Sequence, residues 1–321
     1  MLFRSFLGML TRRHIRVKVM QSVYAFTTSK NTDLDKEEKF LGISMENMYN
    51  LYLTLLGLLV EIQKQADEQL TLSQKKYLAT QEEKNPKRKF VENPILQHLV
   101  HDQVLADKLE ARKISWDLDQ EYVNILYKEI TQSEAYSEYM SQETSDFKAD
   151  RKFIVQLYQE VIAPNEKLFE YIEDKKLTWV DDLPLVNTLL LKMLKKLKPV
   201  GEDDYFHPPL FKDSEDKEFA SLLFKKTVLN DEKIQREIEG KTPNWDTDRI
   251  ADLDALLLKM AICEFLYFPS IPVKVTINEY LEIAKEYSTP KSSIFINGIL
   301  DKLVREYKAN NTLNKSGRGL M

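Results

Sequence analysis

The chain has a single cysteine, Cys263, in 321 residues. An internal disulfide is excluded, and with it the small stapled scaffolds of secreted proteins. Cys263 lies in an apolar run, where a thiol serves as a small core side chain rather than a nucleophile. A reducing, cytoplasmic location is the expectation. Glycine is scarce too, at 8 residues. There is no glycine-rich phosphate loop and no dinucleotide fingerprint, so no nucleotide cradle and no cofactor is expected. His98 and His101 stand at a spacing that can hold a metal, but no CxxC, HExxH or acidic cluster accompanies them, and no metal site is read. The carboxylates are scattered along solvated faces, which gives no paired acid and base for an enzyme. Long apolar runs are missing as well. The opening MLFRSFLGML is interrupted by Arg4 and Ser5 and is too short to span a bilayer, so no membrane partner is expected. Residues 1–10 are read as an extension, with Met9 as an alternative start. Charge of one sign is not in excess: 46 basic and 51 acidic residues give 46 − 51 = −5. A nucleic-acid-binding role therefore needs a local basic patch.

Apolar residues at 43% suffice for a core, and 30% charged residues point to helices with polar outer faces. Three helix signals follow one another in Asp246–Tyr307. The first begins at Asp246 and stops at Phe268-Pro269, with Leu253, Leu256, Leu257, Met260 and Glu264 on one face. Glu264 interrupts an apolar stripe, so it must pair with a base or cap a loop; Lys285 is one candidate partner. The second begins at Thr276-Ile277-Asn278-Glu279, which reads as a capping box. The third begins at Thr289-Pro290, with Phe295, Ile299, Leu303 and Tyr307 inward.

Near the other end, Thr11–Ser29 reads as one amphipathic helix. Ile15, Val19, Ser22 and Phe26 form a stripe, opposite Arg13, His14, Lys18 and Gln21, with Arg12 and Arg16 flanking. Positive charge at a helix N-terminus opposes the dipole. Either this is a solvated basic face or an anion offsets the cost.

Between these ends the sequence is helical in character. Helices are expected over about Ser44–Gln69, from Asn93-Pro94, and over Asp117–Met140 with Tyr122, Ile125, Leu126 and Ile130 inward. Gln81–Lys89 reads as a charged, mobile breaker and Ser141–Ala149 as a linker. Residues 150–193 can be laid on 216–260: Phe153 on Phe219, Leu157 on Leu223, Ile172 on Ile238, Trp179 on Trp245. After a slip of one residue, Leu189–Met193 falls on Leu256–Met260. This is read as a partial duplication, the alternative being convergent helical hairpins. The tail, 309–321, is polar and expected to be disordered.

Several blocks in order resemble the NusB family of transcription antitermination factors. They are Leu256-Leu257-Leu258-Lys259-Met260-Ala261-Ile262-Cys263-Glu264, Ile271–Glu279, Ala284-Lys285 and Phe295-Ile296-Asn297-Gly298-Ile299-Leu300-Asp301, with Arg12-Arg13-His14-x-Arg16 and Gln21-Ser22-Val23-Tyr24 at the opening helix. The resemblance covers about 11–28 and 214–307, and a typical member is under half this length. It implies an all-α fold of two packed helical bundles, here an arginine-rich helix at 11–30 and a C-terminal bundle at 213–308, enlarged by an inserted block at 31–212. It further implies binding of a boxA-like single-stranded RNA, in complex with the ribosomal protein that doubles as NusE, within the transcription elongation complex. The implied RNA-binding residues are Arg12, Arg13, His14, Arg16, Lys18, Gln21 and Tyr24, joined by Lys291, Ser292 and Phe295 at the start of the last helix. A helix N-terminus with lysine, hydroxyl and aromatic can hold a phosphate and stack a base, or Phe295 is simply core. Asp254 matches an acidic residue that meets the ribosomal protein in the family. Two alternatives stay open: a helical interaction scaffold without RNA, and an RNA-modifying enzyme, which the missing glycine-rich loop disfavours.

Overall fold

The computed structural model describes residues 8–30, 32–77, 80–199, 205–239 and 251–320. Among them every regular element is helical, so the fold is all-α. The elements are α1 (Arg12–Thr28), α2 (Leu34–Gln74), α3 (Gln81–Lys84), α4 (Pro94–Val100), α5 (Gln103–Ala111), α6 (Gln120–Gln132), α7 (Glu134–Ser141) and α8 (Phe147–Leu157). A π-helical turn, Tyr158–Ile162, leads on to α9 (Glu166–Lys175) and α10 (Thr178–Lys196). The last five are α11 (Ser214–Leu229), α12 (Asp231–Glu239), α13 (Asp252–Tyr267), α14 (Val273–Tyr287) and α15 (Ser292–Ala309). The chain forms two compact units, Met1–Met45 with Pro209–Met321, and Glu46–Pro208.

The first unit is built around α13. Leu257, Leu258, Met260, Ala261, Ile262 and Cys263 are all fully buried, because α11, α12, α14, α15 and α1 all pack against this helix. A helix apolar on all sides must be covered on all sides. Burial pushes the Cys263 thiol up to about 12, which fits a core side chain and not a nucleophile. Residues Met9 and Leu10 also belong to this core: their amides donate to the Pro209 and Leu210 carbonyls, and both side chains are buried.

Three helix starts differ from expectation. The segment 240–250, including Asp246 and Trp245, lies outside the described residues, and α13 begins at Asp252. α14 begins at Val273 after Pro272, one turn ahead of Thr276. Thr276 is therefore interior and fully buried, and its hydroxyl donates to the Glu264 carboxylate instead of capping. α15 begins at Ser292 without a side-chain cap, and Thr289 and Pro290 precede it in the turn. Its inward face is Ile296, Ile299, Leu300, Leu303 and Tyr307; Phe295 is half-exposed.

The tail also differs. It turns back through Asn311, in the left-handed region at φ 53°, and Gly317, also at φ 53°. A short 3-10 turn, Gly317–Leu320, ends it. The Ser316 amide donates to the Pro269 carbonyl at 3.1 Å. The Lys315 ammonium donates to the Glu264 and Phe268 carbonyls at 3.1 and 2.9 Å, satisfying orphan acceptors at the end of α13. Gly319 is buried so close to the Pro269 carbonyl that a Cβ there would collide with it.

In the second unit the expected helix at 44–69 is part of the 41-residue α2. Asn93 caps α4 by accepting from the Ile95 amide, as Asn93-Pro94 suggests. The expected helix over 117–140 is two helices. Ser133 takes an extended backbone, ends α6 and caps α7 by accepting from the Tyr136 amide. Leu126 and Ile130 are buried with Val123, while Tyr122 and Ile125 are only half-buried. The 81–89 stretch is not a bare loop: Thr80 and Glu83 form a capping box for α3, and Arg88 pairs with Asp67 and Glu92. Both members of the suspected duplication run as helix, short helix, helix. Phe153 and Phe219, Leu157 and Leu223, and Ile172 and Ile238 are buried in each. Trp179 is buried too, its indole donating to the Asn47 carbonyl, and the comparison with Trp245 falls outside the described residues.

Candidate nucleic-acid interface

The start of α1 is fixed by a reciprocal cap. Thr11 accepts from the His14 amide at 3.4 Å, and the Thr11 amide donates to His14 Nδ1 at 3.1 Å. His14 fills the place usually taken by Glu or Gln in this motif. Because Nδ1 accepts, the ring proton sits on Nε2 when the ring is neutral. Burial, reinforced by the neighbouring Arg13 charge, pushes His14 down to about 4, against the pull of Glu279. The ring is thus uncharged at neutral pH and adds no cation to the patch.

The next residues are held by carboxylates on other helices of the same unit. Arg12 Nε donates to Asp216 on α11 at 2.8 Å, with Glu215 at 3.6 Å. Arg13 makes a two-pronged pair with Glu279 on α14, at 3.0 and 2.8 Å. These hydrogen bonds raise the Arg13 pKa above its ordinary value. Burial works against ionisation of Glu279, but Arg13 and then Arg16 outweigh it and hold the carboxylate below the usual range. Both Arg12 and Arg13 keep more than a third of their side chains exposed, at 35% and 39%.

Arg16 is different. It is 1% exposed and makes a two-pronged pair with Glu264, which is 0% exposed, at 2.6 and 2.9 Å. Burial opposes the Arg16 charge; the Glu264 charge and hydrogen bonds prevail and raise the pKa. Glu264 also accepts from Thr276 and from Tyr280 at 2.9 Å, and burial with the Glu264 charge keeps the Tyr280 hydroxyl protonated. The guanidinium lies over the Phe219 and Tyr280 rings at 5.1 and 5.8 Å. The partner of Glu264 is therefore Arg16 on α1 and not Lys285, which pairs with Glu282 at the surface.

These residues line an open cleft of about 710 Å³ between the start of α1 and the α13–α14 turn. Its wall includes Thr11, Arg12, Arg13, His14, Glu279 and, from the tail, Arg318. Not every expected site residue is placed there. Lys18 is 4% exposed and Gln21 half-buried, because α1 packs against α11, α13 and α14 and has little free circumference. Tyr24 is on the surface at 44% exposure. Ser292 is 2% exposed and tied to Ser288 and Thr289, so its hydroxyl is not offered to a ligand. Lys291 is exposed and Phe295 half-exposed, and neither lines the cleft. Asp254, expected to meet the ribosomal protein, is 6% exposed and accepts from the Ser288 hydroxyl at 2.6 Å, bracing the α14–α15 turn. Sequence reading missed Glu279, Asp216 and Arg318. Glu279 does carry a signal, the apparent capping box with Thr276, but its carboxylate pairs with Arg13 instead.

Comparison with known proteins bears on the same region. The NusB family profile matches residues 201–305. The chain is 42% identical over 113 residues to the transcription antitermination protein NusB of Salinibacter ruber, which covers 35% of this chain and 71% of that protein. The chain belongs to the NusB family. NusB of Chloroherpeton thalassium is 45% identical over 105 residues, 33% of this chain and 50% of that protein. NusB of Natranaerobius thermophilus is 40% identical over 99 residues, 31% of this chain and 67% of that protein. No solved structure matches. Roughly two thirds of this chain lies outside the matched segment. Among the described residues no helix is long and apolar enough to cross a membrane.

Proposed function

We propose that this member of the NusB family is a non-enzymatic transcription antitermination factor that binds a boxA-like single-stranded RNA at the cleft before α1. Arg12 and Arg13 are the phosphate-facing groups. Each holds a carboxylate with part of its guanidinium and has further N–H donors for an anion. The neutral His14 ring offers Nε2–H as a hydrogen-bond donor. Tyr24, Lys291 and Phe295 extend the RNA surface, with the exposed Tyr24 ring offering a face for base stacking. Arg16 and Lys18 act from beneath, by setting the position of α1. The RNA is bound together with the NusE ribosomal protein, within the elongation complex of the cytoplasm. The observation that carries this reading is the exposure of two arginines at a capped helix start beside an open cleft, in a member of a family named for antitermination. Titration of labelled boxA-like RNA with the full chain tests it. Sequence-selective binding that weakens with salt and with Arg12→Ala plus Arg13→Ala is expected. Binding indifferent to both RNA sequence and these arginines points to an interaction scaffold.

A further inference from the structure

The cleft has a fourth arginine in its neighbourhood, and it is held unlike the others. Arg12, Arg13 and Arg16 are each engaged by a carboxylate from α11, α13 or α14. Arg318 is exposed, and among the described residues it has no hydrogen bond, ion pair or ring contact. It lines the main cleft and also the smaller adjoining one of about 420 Å³ beside Arg12, Lys212 and Asp216. Its position is fixed on both sides in sequence. Upstream, Lys315 is clamped to the Glu264 and Phe268 carbonyls and Ser316 to Pro269. Downstream, Gly319 sits against Pro269 where no side chain fits. A short polar tail does not make four such contacts by default, since each ordered residue costs about 1–2 kcal/mol of conformational entropy. The family profile ends at residue 305, before this strap begins.

We propose that the C-terminal strap is a second phosphate-binding arm of the RNA site, with Arg318 supplying a guanidinium that no carboxylate among the described residues pairs with. The inference rests on the RNA-binding reading and deepens it. Carboxylates offset part of the charge of Arg12 and Arg13, whose remaining N–H groups still contact one phosphate each. Arg318 adds to their attraction from the tail, beside the start of α1, so that both segments contact one strand. Lys315 and Gly319 are positioning residues.

The test uses the full chain and a labelled single-stranded boxA-like RNA across a range of salt. Arg318→Ala should weaken binding about tenfold at moderate salt, the effect of losing one charge-assisted contact. It should also flatten the salt slope by about 0.7, the value for one phosphate on a single strand. Arg318→Lys should recover much of the slope. Gly319→Ala keeps the guanidinium but forces the strap from Pro269; it should reproduce the Arg318→Ala loss while the helical circular dichroism stays unchanged. If Arg318→Ala binds like the unaltered chain while Arg12→Ala plus Arg13→Ala binds weakly, the strap proposal is wrong and the RNA site stands. If the unaltered chain shows no salt-dependent RNA binding, both fall.

Discussion

At the scale of single residues, Arg16 and Glu264 carry the strongest consequence. The pair is sealed from water, where desolvation costs each ion several kcal/mol and only its partner and hydrogen bonds offset that. Arg16→Met leaves Glu264 buried without its base. It should cost about 3–5 kcal/mol in urea unfolding, and Arg16→Met with Glu264→Leu should regain most of the loss. A double variant no better than the single one would mean that the pair does not act as a unit. Acid should weaken the same junction. The unfolded His14 ring takes its proton near 6.5 and the folded ring near 4. Between these values the unfolded state binds more protons, so stability falls as pH drops from 6.5 towards 4. Glu279 has a folded pKa below its ordinary 4.5, so its contribution is present above that value and is lost as pH falls further. His14→Gln keeps an acceptor for the Thr11 amide without titrating. Its unfolding midpoint should change less than that of the unaltered chain between pH 6.5 and 4, and equal slopes would refute this. Glu264 shows how far residues can be read from sequence. A carboxylate in an apolar stripe announces that it needs a partner. It does not say which of many bases the fold delivers, because that choice is made by helix packing 248 residues away in sequence.

At the scale of elements, α1 is legible and its surroundings are not. The helix read at Thr11–Ser29 and the buried Ile15, Val19 and Ser22 follow from periodicity, while Phe26 of the same stripe is only half-buried. The basic face does not, since periodicity divides a helix into two sides and α1 is covered on three. Arg16 and Lys18 are therefore buried where a two-sided wheel puts them near solvent. Helix starts at Thr276 and Thr289-Pro290 were misplaced for a related reason: a hydroxyl followed by Glu or Pro is a cap only if the chain turns there. Pro272 starts α14 earlier and leaves Thr276 to serve Glu264. The strap was illegible because its contacts go to backbone carbonyls of α13 and Pro269, which leave no pattern in side-chain sequence. The segment before α1 makes a similar close approach. Gly8 lies against the Lys212 backbone where a Cβ would collide. Gly8→Ala should destabilise the chain by about 1–3 kcal/mol, the usual cost of overpacking, and an unchanged denaturation midpoint would show that the N-terminal segment yields freely.

At the scale of the whole molecule, the all-α class and the family were readable from the C-terminal blocks alone. The 201–305 match falls in one compact unit apart from its first residues, and that unit also contains α1, far away in sequence. The rest, Glu46–Pro208, is a second helical unit with its own core, including Leu51, Leu55, Leu126, Ile172 and Leu190. Its binding role has no sequence signature. With a net charge of −5, the chain as a whole does not attract RNA, so attraction must come from the cleft. The salt dependence of boxA-like RNA binding by the full chain, measured beside Arg12→Ala plus Arg13→Ala, addresses this most directly. Selective binding whose salt slope drops by about 1.4 in the double variant, two phosphates at 0.7 each, is the predicted result. An identical slope and affinity in the two proteins would contradict it.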